Sequence, residues 1–110
     1  MDNVGFTERE WIHELSPQEA RVRCRYRRSA RRIVEYTVQL EILYQGDWRP
    51  VVRFDNAHGF CHRDELHPDG SQVKAPYFAG DANETFTTAI EDIQSHWESH
   101  MNRYLREIKP

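Results

Sequence analysis

Apolar and polar residues alternate along the middle of the chain, and this alternation predicts β-strands. Between residues 34 and 44 every second side chain is apolar and almost every intervening one is polar, which is typical of a strand with one buried face. Residues 19–27 and 48–55 show the same period. Pro50 interrupts the third of these runs and indicates a sheet edge or a β-bulge there. The segment therefore predicts three consecutive strands.

A weaker hairpin follows. Residues 67–70 read HPDG, a sequence that favours a turn because aspartate, glycine and proline suit turn conformations. The residues on either side, 63–66 and 72–74, are long enough for two short strands. The sheet is thus predicted to contain three to five strands.

Two helices are predicted at the ends of the chain. Thr7 and Glu10 form the pattern of a capping box, with Trp11 and Leu15 four residues apart, so a short N-terminal helix is expected. At the C-terminus Asp81 or Asn83 can cap a helix of about 25 residues, since its apolar positions recur every three or four residues. Those positions are Phe86, Ile90, Ile93, Trp97, Met101, Tyr104, Leu105 and Ile108.

The order of these elements predicts the fold class. A short helix, an antiparallel meander and a long helix follow one another without alternating, which favours an α+β fold over a doubly wound parallel sheet. The long C-terminal helix is expected to cover one face of the meander. At 110 residues the chain is the size of one domain, so we predict a single domain over residues 1–110.

Arginines are concentrated in one part of the chain. The net charge is −3, yet seven arginines lie between residues 21 and 32. Such a cluster suits an anionic partner such as RNA, because arginine forms paired hydrogen bonds with phosphate. The same charges can instead pair with acidic residues of neighbouring strands, for example Glu35 or Glu41. The candidate nucleic-acid-binding residues are Arg21, Arg23, Arg25, Arg27 and Arg63.

Cysteine content and hydropathy bear on the compartment. Cys24 and Cys61 have no spacing typical of a zinc site, and two cysteines are too few for a disulfide scaffold. The N-terminus lacks a secretory pattern, and no stretch approaches the roughly 20 apolar residues that cross a bilayer. We expect a cytoplasmic protein with reduced thiols and no membrane partner.

Titratable side chains are concentrated at residues 53–67, which read RFDNAHGFCHRDELH. Histidine titrates near neutral pH, so His58 and His62 are candidates for proton transfer in RNA cleavage. Arg53 would stabilise phosphate charge, and Asp55 would orient a histidine. We expect the imidazoles of His58 and His62 and the guanidinium of Arg53 to gather around one solvent-filled hollow.

Three other interpretations of this stretch stay open. His58, His62 and His67 could bind a divalent metal such as zinc, although their spacing matches no established zinc motif and no cofactor is otherwise indicated. Phe60 and the histidines could form a protein interface, and a homodimer is compatible with the sequence. A structural role is the third alternative, with His58 and Asp55 bonded to loop backbone and Arg53 paired with an acid.

The block VQLEILYQGDWRPVVRFDNAHGFCHRDELHPDG, residues 38–70, resembles the TumE-type toxin family and related small proteins of unknown function. The matching positions form a strand end followed by histidines, and the block covers about a third of the chain. They are Arg53, Asp55, Asn56, Ala57, His58 and His62.

The resemblance implies a toxin-like protein that is encoded beside an antitoxin-like partner, and it assigns no catalytic residues. Together with the histidine stretch it predicts a small cytoplasmic protein that acts on RNA, ribonuclease-like if it is an enzyme. The alternative is a non-enzymatic protein-interaction module that is a component of a defence or regulatory assembly.

Overall fold

The computed structural model describes residues 5–77 and 80–108, and of His58 it describes the backbone alone. In these residues six strands and one long helix follow one another, with a 3-10 turn at Ala57–Gly59. The elements are β1 (Phe6–Ser16), β2 (Ala20–Ser29), β3 (Arg32–Tyr44), β4 (Asp47–Asp55), β5 (His62–Leu66), β6 (Gln72–Pro76) and α1 (Ala82–Glu107).

The strands form one antiparallel sheet in which each strand pairs with the next in sequence. Alternation along β2, β3 and β4 puts the buried apolar residues on the face that α1 covers, as the sequence pattern predicts. The α+β class is therefore confirmed, and the sheet has six strands rather than three to five. We call the opposite side of the sheet the open face.

The predicted N-terminal helix is wrong. Residues Phe6–Ser16 form strand β1, which pairs with β2 from Phe6 opposite Ser29 to Ser16 opposite Ala20. Trp11 packs its ring edge against Tyr26 and Phe86 at centroid distances of 5.8 and 6.2 Å. In a strand, Trp11 faces the helix and the glutamates of β1 lie beside the arginines of β2. These tertiary contacts outweigh the local sequence signal for a helix.

Helix α1 begins with a complete capping box at Asp81 and Glu84, each side chain bonding to the backbone nitrogen of the other residue. Its buried face lies against β3, where Phe86 contacts Tyr36 and the Tyr36 hydroxyl donates to Thr85 at 2.7 Å. Neither this helix nor any other in the described residues combines the length and apolarity needed to cross a membrane.

Strands β4 and β5 separate near the start of β4. Pairing of β3 with β4 shifts between Leu40 opposite Val52 and Glu41 opposite Pro50, so Val51 is the extra residue of a β-bulge. Pairing of β4 with β5 extends from Asp55 to Val52. Beyond it, Arg103 of α1 lies between the strands and donates to the carbonyls of Val51 at 2.9 Å and Leu66 at 2.8 Å. The helix thereby supplies hydrogen bonds that the separated strands do not make.

Candidate functional site

The open face of the sheet holds a buried carboxylate among arginines. Glu41 of β3 is 6% exposed and accepts hydrogen bonds from the Nε atoms of Arg21 at 2.7 Å and Arg23 at 3.1 Å. Gln39 donates to Glu41 at 2.7 Å and accepts from Arg53 Nε at 2.7 Å. A single chain of side-chain hydrogen bonds therefore joins β2, β3 and β4.

This arrangement also fixes the charge of Glu41. Burial on its own would raise the pKa of the carboxyl, but hydrogen bonds from Arg21, Gln39 and Arg23 outweigh it and hold the pKa below its usual value. Glu41 is therefore ionised at neutral pH. Its negative charge compensates two of the arginines that the sequence offers as phosphate contacts.

The arginines of residues 21–32 divide into two groups. Arg21, Arg23 and Arg25 each form ion pairs, the last with Glu8 and Glu35 at 3.8 and 3.5 Å. The remaining four lie at the tip of the β2–β3 hairpin, and the described residues form no ion pair with them. We call this tip the basic end; its arginines are Arg27, Arg28, Arg31 and Arg32.

The side chains of the basic end are partly engaged by aromatic rings. The Arg27 guanidinium lies 4.6 Å from the ring centre of Phe6, and that of Arg28 lies 5.8 Å from Tyr26. The Nε atoms of both arginines are buried without a hydrogen-bond partner in the described part of the chain. Arg31 and Arg32 are exposed. The exposed guanidinium groups of Arg31 and Arg32 thus have hydrogen-bond donors to offer to an anion.

The turn that carries His58 is attached to the same end of the sheet. The side chain of Asn56 accepts from the Tyr36 backbone nitrogen at 2.9 Å and donates to the Val34 carbonyl at 3.1 Å. It therefore continues the β3 ladder after β4 has ended. Gly59 has φ 98°, a left-handed conformation that glycine adopts without strain, and the chain turns there toward β5.

His62 follows this turn on the open face, opposite Asp55 of β4. The imidazole is 8% exposed and lies against the ring of Phe60 at a centroid distance of 4.2 Å. Both ring nitrogens are buried without a hydrogen-bond partner among the described residues. Asp55 instead accepts from the backbone nitrogen of Ala57 at 3.0 Å. Buried polar atoms are rarely left unpaired, so the two ring nitrogens of His62 are the unusual feature of this position.

The predicted catalytic residues are brought together only in part. Arg53, Asp55 and His62 share the open face of β4 and β5. Arg53 is bonded to Gln39, however, and it lines a cleft on the side away from His62. The side chain of His58 lies outside the described residues, so the expected hollow between His58, His62 and Arg53 stays a prediction.

Two further predicted residues lie elsewhere. Arg63 points to the helix-covered side, with its guanidinium 5.7 Å from the ring centre of Tyr77, so it is separated from the arginines of β2. His67 follows the end of β5 and lies about 16 Å along the chain direction from His62. Its ring bonds to Glu107 at 2.8 Å and approaches Glu65 at 3.3 Å. The structure therefore does not bring His62 and His67 together as zinc ligands, and the described residues contain no metal-binding group of three.

Sequence reasoning missed the cleft that the separation of β4 and β5 creates. It encloses about 410 Å³ and is lined by Trp48, Arg53, Leu66, Pro68 and Tyr104 among others. Pro50 was a signal for the bulge. No local pattern indicates that Arg103, about 50 positions later, fills the gap beneath.

Comparison with known proteins places the chain in a family. The family model described as "Domain of unknown function (DUF7718)" matches residues 6–110. The chain belongs to this family. The match spans β1 to the end of α1, so the DUF7718 domain includes both the sheet and the helix. No curated protein and no solved structure matched the chain.

Proposed function

We propose that the protein binds RNA at its basic end and acts on it through the neighbouring His62 and Asp55. The observation that carries this proposal is the position of Arg27, Arg28, Arg31 and Arg32, which form no ion pair with the described residues. These arginines lie at the end of the sheet where hydrogen bonds between the Asn56 side chain and β3 attach the histidine-containing turn. A toxin-like role and an antitoxin-like partner remain predictions from the resemblance.

Cross-strand register supports a common surface. Arg25, Thr37, Asp55 and His62 form one row across β2 to β5, and Arg27 lies one pair further toward the tip. Three strand spacings of about 4.8 Å separate the two ends of that row, so about 15 Å lies between them. A bound RNA strand would contact the tip through phosphates and reach His62 with its backbone.

The first test measures the dependence of RNA binding on salt. Replacing Arg32 with glutamine should weaken binding to a short single-stranded uridine oligonucleotide. It should also reduce the slope of log K against log salt concentration by about 0.7, because one phosphate contact is lost. Fluorescence anisotropy across a salt series measures both quantities.

Arg106→Gln is the matched control, since Arg106 is an exposed arginine in the last turn of α1 and the same charge is removed. Equal slopes for the two variants would show that binding depends on net charge and not on the basic end. Arg31→Gln repeats the test at the second exposed position of the tip.

The second test concerns proton transfer. If His62 moves a proton during RNA cleavage, His62→Gln should lower the cleavage rate by about 10²- to 10⁴-fold, the usual contribution of a general acid or base. His96→Gln, at an exposed histidine of α1, is the control. RNA that is bound but cleaved equally by wild type and His62→Gln would limit the proposal to binding.

A protein-interaction module is the second candidate, and strand β1 favours it. This strand forms one edge of the sheet, and it exposes Phe6 by 54% and Ile12 by 47%. An edge strand with exposed apolar residues can pair with another chain. Recovery of a stoichiometric protein partner without RNA, lost in Ile12→Asp, would favour this function over action on RNA.

A further inference from the structure

The cleft between β4 and β5 lies at the opposite end of the sheet from the basic end. Trp48 lies about 23 Å along β4 from Asp55. Leu66 and Tyr104 contribute apolar surface, while Trp48 and Arg53 contribute an indole ring and a guanidinium. The volume of about 410 Å³ falls within the range of small-molecule sites, roughly 300 to 1,000 Å³.

The indole ring of Trp48 is held in place by a neighbouring arginine. The Arg21 guanidinium lies 4.0 Å from the centre of the Trp48 ring. Trp48 lines the cleft, whereas Arg21 is not among the residues that line it. Its Nε donates to Glu41, so the stack is attached to a buried carboxylate. Trp48 is therefore a cleft-lining residue whose ring is held by a cation–π contact.

The guanidinium of Arg53 is held through the same carboxylate. Its Nε donates to Gln39, and Gln39 in turn donates to Glu41. Among the described residues, Gln39 is the hydrogen-bonding partner of Arg53, which leaves both Nη groups for a ligand. A guanidinium with an engaged Nε and free Nη groups matches the oxygens of a phosphate or carboxylate. Because the Arg53 side chain is already fixed by Gln39, little side-chain entropy is lost when a ligand binds.

We propose that this cleft binds a nucleoside monophosphate, with Arg53 contacting the phosphate and Trp48 stacking on the base. An indole stacks on any base, because every base has a flat face. The aspartate and arginine residues that line the cleft are Asp47, Arg49 and Arg53, so the arginines outnumber the acid and favour an anionic ligand. This site goes beyond the proposed action on RNA and does not depend on it.

The experiment titrates full-length protein with adenosine monophosphate and follows backbone amide chemical shifts. The expected result is a set of shifts that cluster at residues 47–53 and 66–71. Adenosine lacks the phosphate and inorganic phosphate lacks the base, so each should bind at least about tenfold more weakly than adenosine monophosphate. Absence of binding at millimolar nucleotide, or shifts that cluster at the basic end, would overturn the proposal.

Variants then assign the contacts. Arg53→Gln and Trp48→Leu should each weaken binding of adenosine monophosphate about tenfold or more, measured by calorimetry. Arg63→Gln is the matched control, because Arg63 also rests on an aromatic ring but lies on the other face of the sheet, opposite Phe54, and does not line the cleft. The affinity of Arg63→Gln for adenosine monophosphate should stay within about twofold of the wild-type affinity. Unchanged affinity in both cleft variants would exclude this site.

The two proposals fail in different ways. Loss of nucleotide binding in Arg53→Gln with normal binding of the uridine oligonucleotide leaves action on RNA intact. Loss of oligonucleotide binding in Arg32→Gln with normal nucleotide binding leaves the cleft assignment intact. Should Arg53→Gln fail to fold, the amide shifts of wild-type protein still decide whether the cleft is occupied.

Discussion

Replacing Glu41 with alanine is expected to lower the free energy of unfolding by about 3 kcal/mol. Removal of one partner from a buried ion pair leaves the other charge uncompensated, which typically costs about 3 to 5 kcal/mol. The lower end applies because Arg21 and Arg23 retain 20% and 36% of their side-chain exposure. Gln39 also loses its acceptor. Urea unfolding at neutral pH measures the change.

The control for this variant is Glu35→Ala. Glu35 pairs with Arg25 at 3.5 Å, and both side chains are nearly half exposed. Such a surface pair contributes about 0 to 1 kcal/mol. Similar destabilisation by the two substitutions would show that the burial of Glu41 has no energetic consequence.

The same carboxylate predicts a dependence on pH. The folded pKa of Glu41 lies below the unfolded value of about 4.3. Its contribution to stability is therefore complete above that pH and is lost as the pH falls through the folded pKa. Glu41→Gln removes this contribution, so the difference in stability from wild type should shrink below about pH 4. A difference that stays constant with pH would contradict the assignment.

Replacing Arg103 with methionine should be comparably destabilising, by about 2 to 4 kcal/mol. The substitution leaves the carbonyls of Val51 and Leu66 without their donor, and each unsatisfied buried acceptor costs about 1 to 3 kcal/mol. Water from the adjacent cleft can donate hydrogen bonds to these carbonyls in the variant, so the expected loss of stability stays below the sum of two full penalties. The midpoint of urea unfolding should fall with little change in its slope.

Two variants make this test specific. Arg106→Met removes an arginine of the same helical turn that is exposed, and it should change stability by no more than about 0.5 kcal/mol. Arg103→Lys keeps the charge but cannot present two donors on a rigid plane, so an intermediate loss is expected. A lysine variant as stable as wild type would show that charge alone, and not the two-carbonyl contact, matters at this position.

The sheet and the C-terminal helix could be predicted because their signals are local. Alternation from residue 34 to residue 44 and the three- or four-residue spacing of Phe86, Ile90 and Ile93 each arise within one element. Strand β1 could not be assigned in this way. Thr7 and Glu10 satisfy a helix-capping pattern, while Glu8, Glu10 and Glu14 alternate as a strand does. The arginines of β2 favour the strand, because they pair with these glutamates. Arginines alternate along β2 as the glutamates do along β1, and this shared period is the signal that could have identified the pairing.

The candidate site was predictable as a set of residues but not as an arrangement. Sequence proximity identified Arg53, Asp55 and His62, and strand geometry places them on one face. The sequence could not indicate that Arg53 is hydrogen-bonded to Gln39, which is in turn hydrogen-bonded to Glu41. The cleft depends on a bulge at Val51 and on a helix residue about 50 positions away. Contacts of such separation are set by the fold as a whole.

The double hydrogen bond of Asn56 makes one surface of the protein sensitive to chemical ageing. Hydrolysis of its side-chain amide to an acid would exchange the nitrogen that donates to the Val34 carbonyl for an oxygen. Two acceptors would then face each other, and an added negative charge would lie beside the four arginines of the hairpin tip. A change of a single atom could thus release the turn from β3 and weaken the attraction for polyanions without any mutation in the gene.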